Sequence, residues 1–511
     1  MPLLLSLITL IFSVLPFTLG PSSPFFTIDQ EVVYVTNALS YVVRKQIPFY
    51  DHPGTPGILL LSASFTPLRL WAKYFIHTPF IDWSIKNFTF LMYYSRFFVL
   101  IVYCAGLAIL LRAVHNFTAS RLAVILTWLS LFSYSEFLRI GVRPTPENFL
   151  LFSTAVWLWL FLPLVNHPTL VRLVFLNLAA GFSLATKLNS LTLLLITWLV
   201  TGVVLVRRNL RFFRLVRLWL FLCGLSLIGF FVSTWTIRGH YRGLFNWSYG
   251  LASHLEAGGS GRVGWFDWGL IRASLTTIVR QEPYLVLFFI LAPLAYIASF
   301  RRLSRFSRLV FGPAILILLT FFFVYAKFPR PHYQWLHLIV LSVFTAVFLN
   351  RSVSVSLARV RFKLLPLFFI LLLMPLMINR VNTYAKWSVN LAAAAAFEDF
   401  ISAHPPRYRT LWYIGNTRDF SLLWGRSWSG EFYGPQLDRY YPHLGEIVDF
   451  NTYRDNSART YPIFSSCWDQ LYLRRSEMDG FLAAHPDKKL TVSAVTNTKY
   501  YLITSDHCQK L

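Results

Sequence analysis

Residues 88–111 read "FTFLMYYSRFFVLIVYCAGLAILL", with Arg96 the one charged side chain among them. A hydrocarbon layer about 30 Å thick takes roughly 20 apolar residues of helix, and it leaves no water to satisfy a backbone that is not helical. This stretch meets that requirement, so lipid is its expected solvent. Working outward, comparable stretches lie near residues 3–20, 122–138, 148–165, 173–188, 190–206, 218–236, 284–300, 309–326, 334–349 and 364–379. The expectation is an α-helical polytopic membrane protein with about eleven transmembrane helices. Composition agrees: 56% of residues are hydrophobic and 14% charged, where soluble domains carry about 25% charged.

The chain holds 47 Lys+Arg against 22 Asp+Glu. On a soluble domain such an excess would suggest a nucleic-acid partner, but here it falls in residues 1–379, while residues 380–511 are nearly balanced. Nucleic acid is therefore not an expected partner. Three basic loops, Arg207 to Arg217, Arg301 to Arg308 and Arg351 to Lys363, fall on one side of the expected spans. Basic connections resist translocation, which makes that side cytoplasmic. The carboxylates of the membrane part, Asp29, Glu31, Asp51, Asp82, Glu136, Glu147, Glu256, Asp267 and Glu282, then fall on or near the outer side.

Residues 1–20 lack the basic start of a signal peptide, which favours an uncleaved span. The connection 21–87 is longer than a hairpin needs. Within it Val32, Val35, Leu39, Val42 and Val43 recur at helical spacing, with Asn37, Tyr41, Arg44 and Lys45 off that face. That pattern predicts an amphipathic helix lying in the interface. Residues 57–76 are apolar but interrupted by Pro67, Arg69 and Lys73, and are expected to be half-inserted or interfacial. Two domains are expected: 1–379 in the membrane and 380–511 as a soluble α/β domain on the outer side, with alternating "TLWYIG" and "KYYLITS" as strands. Cys104 and Cys223 fall in apolar spans as small core residues; Cys467 and Cys508 could pair if the tail faces an oxidising compartment.

The phrase "FFTIDQEVVYVTNAL" sets Asp29 and Glu31 directly after the first span. A carboxylate at a membrane surface suits deprotonation of an acceptor hydroxyl or the holding of a divalent ion. It equally suits an N-cap, satisfying free N–H groups at the start of the next helix. "PFYDHPGTPGILLL" adds Asp51 and His52 in a Pro/Gly turn.

Together these phrases resemble the signature of the GT-C type membrane glycosyltransferases that use polyprenyl-phosphate sugars, the group containing protein O-mannosyltransferases and the aminoarabinose transferase of lipid A. That group has an Asp-Glu pair after the first span, an aromatic residue soon after, and a His-Pro-Pro turn. Asp29 matches the first acid, Tyr34 the aromatic, and Asp51, His52 and Pro53 the turn. Gln30 stands at the second acid, with Glu31 displaced by one, and Gly54 at the second proline. "YYSRFFVLIV" with Arg96, "GFSLATKLNSL" with Lys187, and "KFPRPHYQWLHLIVL" with Lys327, Arg330 and His332 extend the likeness over most of residues 25–350.

The resemblance implies a glycosyltransferase of the inner (plasma) membrane that moves a sugar from a polyprenyl-phosphate donor to a glycan, lipid or protein acceptor, with inversion. Asp29 and Glu31 are then the catalytic candidates. Tyr34, Asp51, His52, Arg96, Arg143, Lys187, His254, Lys327, Arg330 and His332 are candidates for binding substrate, because a lipid phosphate calls for charge-assisted hydrogen bonds. Each cation could instead anchor a span end by snorkelling. "SHLEAGGSGRVGWFDW", with His254, Glu256, Arg262 and Asp267, reads as a lid or as a plain flexible connection. The donor carries its own leaving group, so no cofactor is required; a divalent ion at Asp29 and Glu31 stays open. The rival readings are a lipid-linked-oligosaccharide flippase, a glycan polymerase or ligase, and a membrane scaffold.

Overall fold

The computed structural model describes residues 1–27, 29–49, 54–208, 210–253, 268–281, 283–325, 331–354, 364–407, 410–412, 415–442, 444, 446–447, 468–486, 489–495, 498 and 500–505, with backbone alone at some, Asp29 and 364–382 among them. The chain is a polytopic helical membrane protein carrying a β-sheet near its C-terminal end. Every expected span overlaps a helix. Six of the described helical segments are long and apolar enough to cross a membrane on their own: Phe88–Thr118, Pro146–Asn166, Leu188–Val206, Phe212–Ser233, Arg305–Tyr325 and His332–Asn350. Pro2–Phe17, Arg121–Phe132 and Leu170–Thr186 are shorter apolar helices.

Two expected spans end early for local reasons. The stretch 122–138 stops at Phe132, where the Ser133 hydroxyl donates to the Ser130 carbonyl at 2.7 Å, and a separate short helix begins at Phe137. Side-chain bonds of this kind compete with the helical ladder. The stretch 173–188 stops at Thr186, because Lys187 is extended (φ −159°, ψ 139°) before a 3₁₀ turn at Leu188–Ser190.

Contacts divide the chain into two compact units. One gathers Met1–Ser13, Tyr50–Gly57 and Val99–Thr383; the other gathers Val14–Phe49, Ile58–Phe98 and Tyr384–Leu511. In the first unit, apolar packing is joined by hydrogen bonds between helices. Trp157 donates to Thr197 at 2.8 Å, Trp198 to Ser226 at 2.9 Å, Asn177 to Thr201 at 3.1 Å and Trp128 to Thr9 at 3.1 Å. In a lipid solvent helices gain little from apolar contact alone, so small residues and such bonds decide which helices meet. Helices Leu170–Thr186 and Phe212–Ser233 cross backbone to backbone at Gly181 and Gly229: a Cβ on Gly181 would collide with the Ser226 carbonyl, and one on Gly229 would stand 2.6 Å from the Leu178 oxygen.

The second unit holds a five-stranded sheet of order β2-β1-β3-β5-β4, made by β1 (Thr410–Trp412), β2 (Glu446–Ile447), β3 (Gln470–Arg474), β4 (Leu490–Ala494) and β5 (Tyr500–Ser505). β1 runs parallel to β2 and β3, while β5 is antiparallel to β3 and β4, with Leu471 opposite Ile503. Leu411, Trp468, Leu471, Leu473, Phe481 and Ile503 form its apolar core. Phe397, near the end of the long helix Leu364–Ala403, stacks on Tyr500 of β5 with ring centroids 4.6 Å apart.

Helix Asp29–Arg44 belongs to this unit, and it does not present the polar face expected of an interfacial helix. Residues 31–40 are buried on every side. The polar residues are satisfied within the helix, Thr36 donating to the Val32 carbonyl at 2.9 Å and Asn37 to the Val33 carbonyl at 2.8 Å, and by helix Arg418–Trp428, where Asn37 also donates to the Trp428 carbonyl at 3.1 Å and Thr36 to the Gly425 carbonyl at 3.4 Å. Tyr41 and Arg44 lie where the helix emerges, and Arg44 donates to the Phe432 carbonyl at 3.1 Å.

Candidate functional site

The sequence candidates separate into two groups of side chains, one in each unit. In the second unit, Glu31 is completely buried and pairs with Arg96 at 2.5 Å. Thr27 donates its hydroxyl to the other carboxylate oxygen, also at 2.5 Å. Arg96, itself 3% exposed, donates from Nε to the Pro24 carbonyl at 2.9 Å and lies 4.4 Å over the Phe26 ring. One arginine therefore clamps the segment 24–31 from the inside.

This geometry changes the reading of both residues. A carboxylate with no solvent exposure, engaged by a guanidinium and a hydroxyl, is poorly placed to accept a proton from an incoming acceptor or to bring a ligand to a divalent ion. Arg96 likewise spends its donors on the chain's own carbonyls instead of a substrate phosphate. Tyr34 is also fully buried and packs edge-on to Phe49, with centroids 6.0 Å apart. Asp29 opens the helix two residues before Glu31; its side chain, like Asp51, His52, His254, Lys327 and Arg330, lies outside the described residues, as do Glu256, Arg262, Asp267, Cys467 and Cys508.

In the first unit, Lys187 meets Glu147, a residue to which the sequence reading gave no role. The two form a hydrogen-bonded ion pair with side chains 7% and 8% exposed. Glu147 sits in the first turn of helix Pro146–Asn166, after the extended Thr145. A carboxylate at the start of an apolar helix is costly unless it is paired or used, and "RPTPENF" carried that signal. Around the pair, the His332 ring nitrogen stands 4.0 Å from the Glu147 carboxylate, Arg143 lies within electrostatic reach of it, and Lys187 hangs 5.0 Å from the Tyr333 ring centroid. Arg143, Lys187 and His332, three of the predicted substrate-binding residues, thus converge on one acid.

Four pieces of chain build this group. The 3₁₀ turn after Lys187 is tied to the late segment by Asn189, which donates to the Tyr333 carbonyl at 3.1 Å, and by the Tyr325 hydroxyl, which reaches the Leu188 carbonyl at 3.4 Å. The turn at Gly54 docks from the other direction. Its N–H donates to the Thr186 carbonyl at 3.2 Å, directly before Lys187, and its φ is 44°. Proline is held near φ −65° and has no N–H, so this docking requires the glycine at position 54. Gly57 then packs flat against Phe149, two residues beyond Glu147. Among the described residues no three His, Cys, Asp or Glu side chains gather as a metal site.

The described helices, the long connection after the first and the sheet near the end make up a polytopic helical membrane fold. The solved structure that carries this conclusion is "ArnT from Cupriavidus metallidurans bound to Undecaprenyl phosphate", which matches with a TM-score of 0.50 at 14% sequence identity, over 98% of this chain and 97% of the other. At that identity the match is one of fold. No protein-family model and no curated protein matches the sequence.

Proposed function

We propose that this chain transfers a sugar from a polyprenyl-phosphate donor to an acceptor hydroxyl at the outer face of the inner (plasma) membrane. The observation that carries the reading is the end-to-end fold match to a protein holding undecaprenyl phosphate, in a chain whose Lys187, Arg143 and His332 collect beside one buried acid. In the proposed reaction Asp29 takes the proton of the acceptor hydroxyl, and the freed oxygen attacks the anomeric carbon. The bond from that carbon to the phosphate oxygen breaks with inversion, and its electron pair leaves on the polyprenyl phosphate. Arg143, Lys187 and His332 stabilise the charge that grows on the departing phosphate. Glu147 fixes the Lys187 ammonium, and Glu31 and Arg96 hold the segment that leads into Asp29.

The test is Asp29→Asn in proteoliposomes supplied with radiolabelled polyprenyl-phosphate sugar. General-base catalysis contributes about 10²–10⁴-fold, and a loss of that order is expected. Wild-type turnover in a folded Asp29→Asn protein would reject the base. A flippase would instead translocate the lipid-linked sugar across vesicles without forming product, and the same preparation distinguishes the two.

A further inference from the structure

The geometry points to a second anionic site, in the unit that contains Ile58–Phe98, which takes the phosphate of a membrane lipid headgroup on Arg69, Lys73 and His77. Arg69 and Lys73 are one turn apart on helix Thr55–Tyr74, and His77 follows four residues after Lys73. With Thr78, Pro79 and Phe80 they line a cavity of about 450 Å³. Among the described residues none of the three is in an ion pair, and Asp82, the carboxylate nearest in sequence, is not part of the lining. Arg69 gives one N–H to the Val42 carbonyl at 2.7 Å; two cations and an imidazole around a cavity with no carboxylate in its lining is an arrangement that an anion completes.

The cavity is shaped by a strained turn. Beyond the helix the chain reverses through His77 at φ 54°, and the Thr78 N–H reaches back to the Ala72 carbonyl at 3.1 Å. Left-handed backbone is costly for a residue with a Cβ, and such strain gathers at ligand sites. Trp83 fixes the far wall, stacked on Phe80 at 5.9 Å and edge-on to Trp71 at 5.6 Å.

The surroundings indicate a lipid as the source of the anion. Leu70, Trp71, Tyr74, Phe75 and Ile76 are 50%, 42%, 59%, 74% and 44% exposed, an apolar band interleaved with the cations. Such a segment lies at the headgroup boundary with its apolar side chains in the acyl region. A phosphate held beside that band belongs to a molecule whose tails share it. This site goes beyond the proposed transfer reaction and does not depend on it.

Native mass spectrometry of the delipidated full-length protein tests the assignment, with phosphatidic acid, phosphatidylcholine and inorganic phosphate titrated separately. Phosphatidic acid should bind in preference to phosphatidylcholine. Lys73→Ala should weaken it about five-fold, the share of one cation near an anionic membrane surface. Lys73→Ala with His77→Asn should weaken it further, asparagine being chosen because it tolerates the left-handed turn. Equal affinity in wild type and the Lys73 variants at unchanged melting temperature would overturn the site. Equal uptake of phosphatidylcholine would overturn the demand for an anionic headgroup, and inorganic phosphate binding as tightly as the lipid would overturn the assignment to a lipid.

Discussion

Replacing Arg96 by methionine separates a structural role from a substrate-binding one. The aliphatic stem is kept, but the partner of a fully buried carboxylate is removed, together with the donors to Pro24. Breaking one half of a buried ion pair costs about 3–5 kcal/mol, chiefly because the remaining charge has no compensation. Glu31→Gln keeps an acceptor for Thr27 while removing the negative charge, and leaves Arg96 as the uncompensated member. The double variant should therefore be less damaged than the sum of the singles, by about 2 kcal/mol within the usual range for contacting residues. Thermal unfolding in detergent, read by intrinsic fluorescence on all four proteins, gives the cycle. If Arg96→Met unfolded like wild type while sugar transfer collapsed, the arginine would belong to a substrate, and the account of it as an internal clamp would be wrong.

Gly54→Pro should destabilise the protein by more than about 1 kcal/mol, since φ 44° and the bond to Thr186 are both lost; an unchanged melting temperature would contradict the docked turn. Lys187→Met should cost about 3–5 kcal/mol, and Glu147→Gln added to it should recover much of that in the same melts. A Lys187→Met protein no less stable than wild type would show that the pair is not buried. Burial pushes the Glu398 carboxyl up to about 8 from its ordinary 4.5, with Asp419 and Asp399 adding to the rise and the Arg418 N–H opposing it. The folded state then binds more protons than the unfolded one between those values, so stability falls as pH rises from about 5 to 8. Glu398→Gln should flatten that decline in a pH series of melts, and an identical slope would remove Glu398 as its source.

The helices were legible because a lipid solvent dictates composition: a segment such as 88–111 has few other ways to exist. Strands β1 and β5 showed through alternation at "TLWYIG" and "KYYLITS", although their order in the sheet did not. What stayed hidden depended on partners distant in sequence. Glu31 and Arg96 both looked like chemistry, because nothing local shows that each neutralises the other. Asn37 looked like the wet face of a helix, because the helix that covers it, Arg418–Trp428, is distant in sequence. Glu147 went unassigned for the converse reason: its partners, Lys187 and His332, lie on two later turns. The Lys187 break could have been suspected from "TKLNS", where a lysine and an asparagine interrupt an apolar run.

The bond from Asn37 to the backbone of Trp428 also has a consequence for biosynthesis. The helix that begins at Asp29 leaves the ribosome early, yet the second acceptor of its buried Asn37 amide, the Trp428 carbonyl, comes only after a further 391 residues have been made. At about 5–20 residues per second that is a wait of roughly 20–80 s. During that interval the helix that begins at Asp29 lacks the partner that covers its polar side chains.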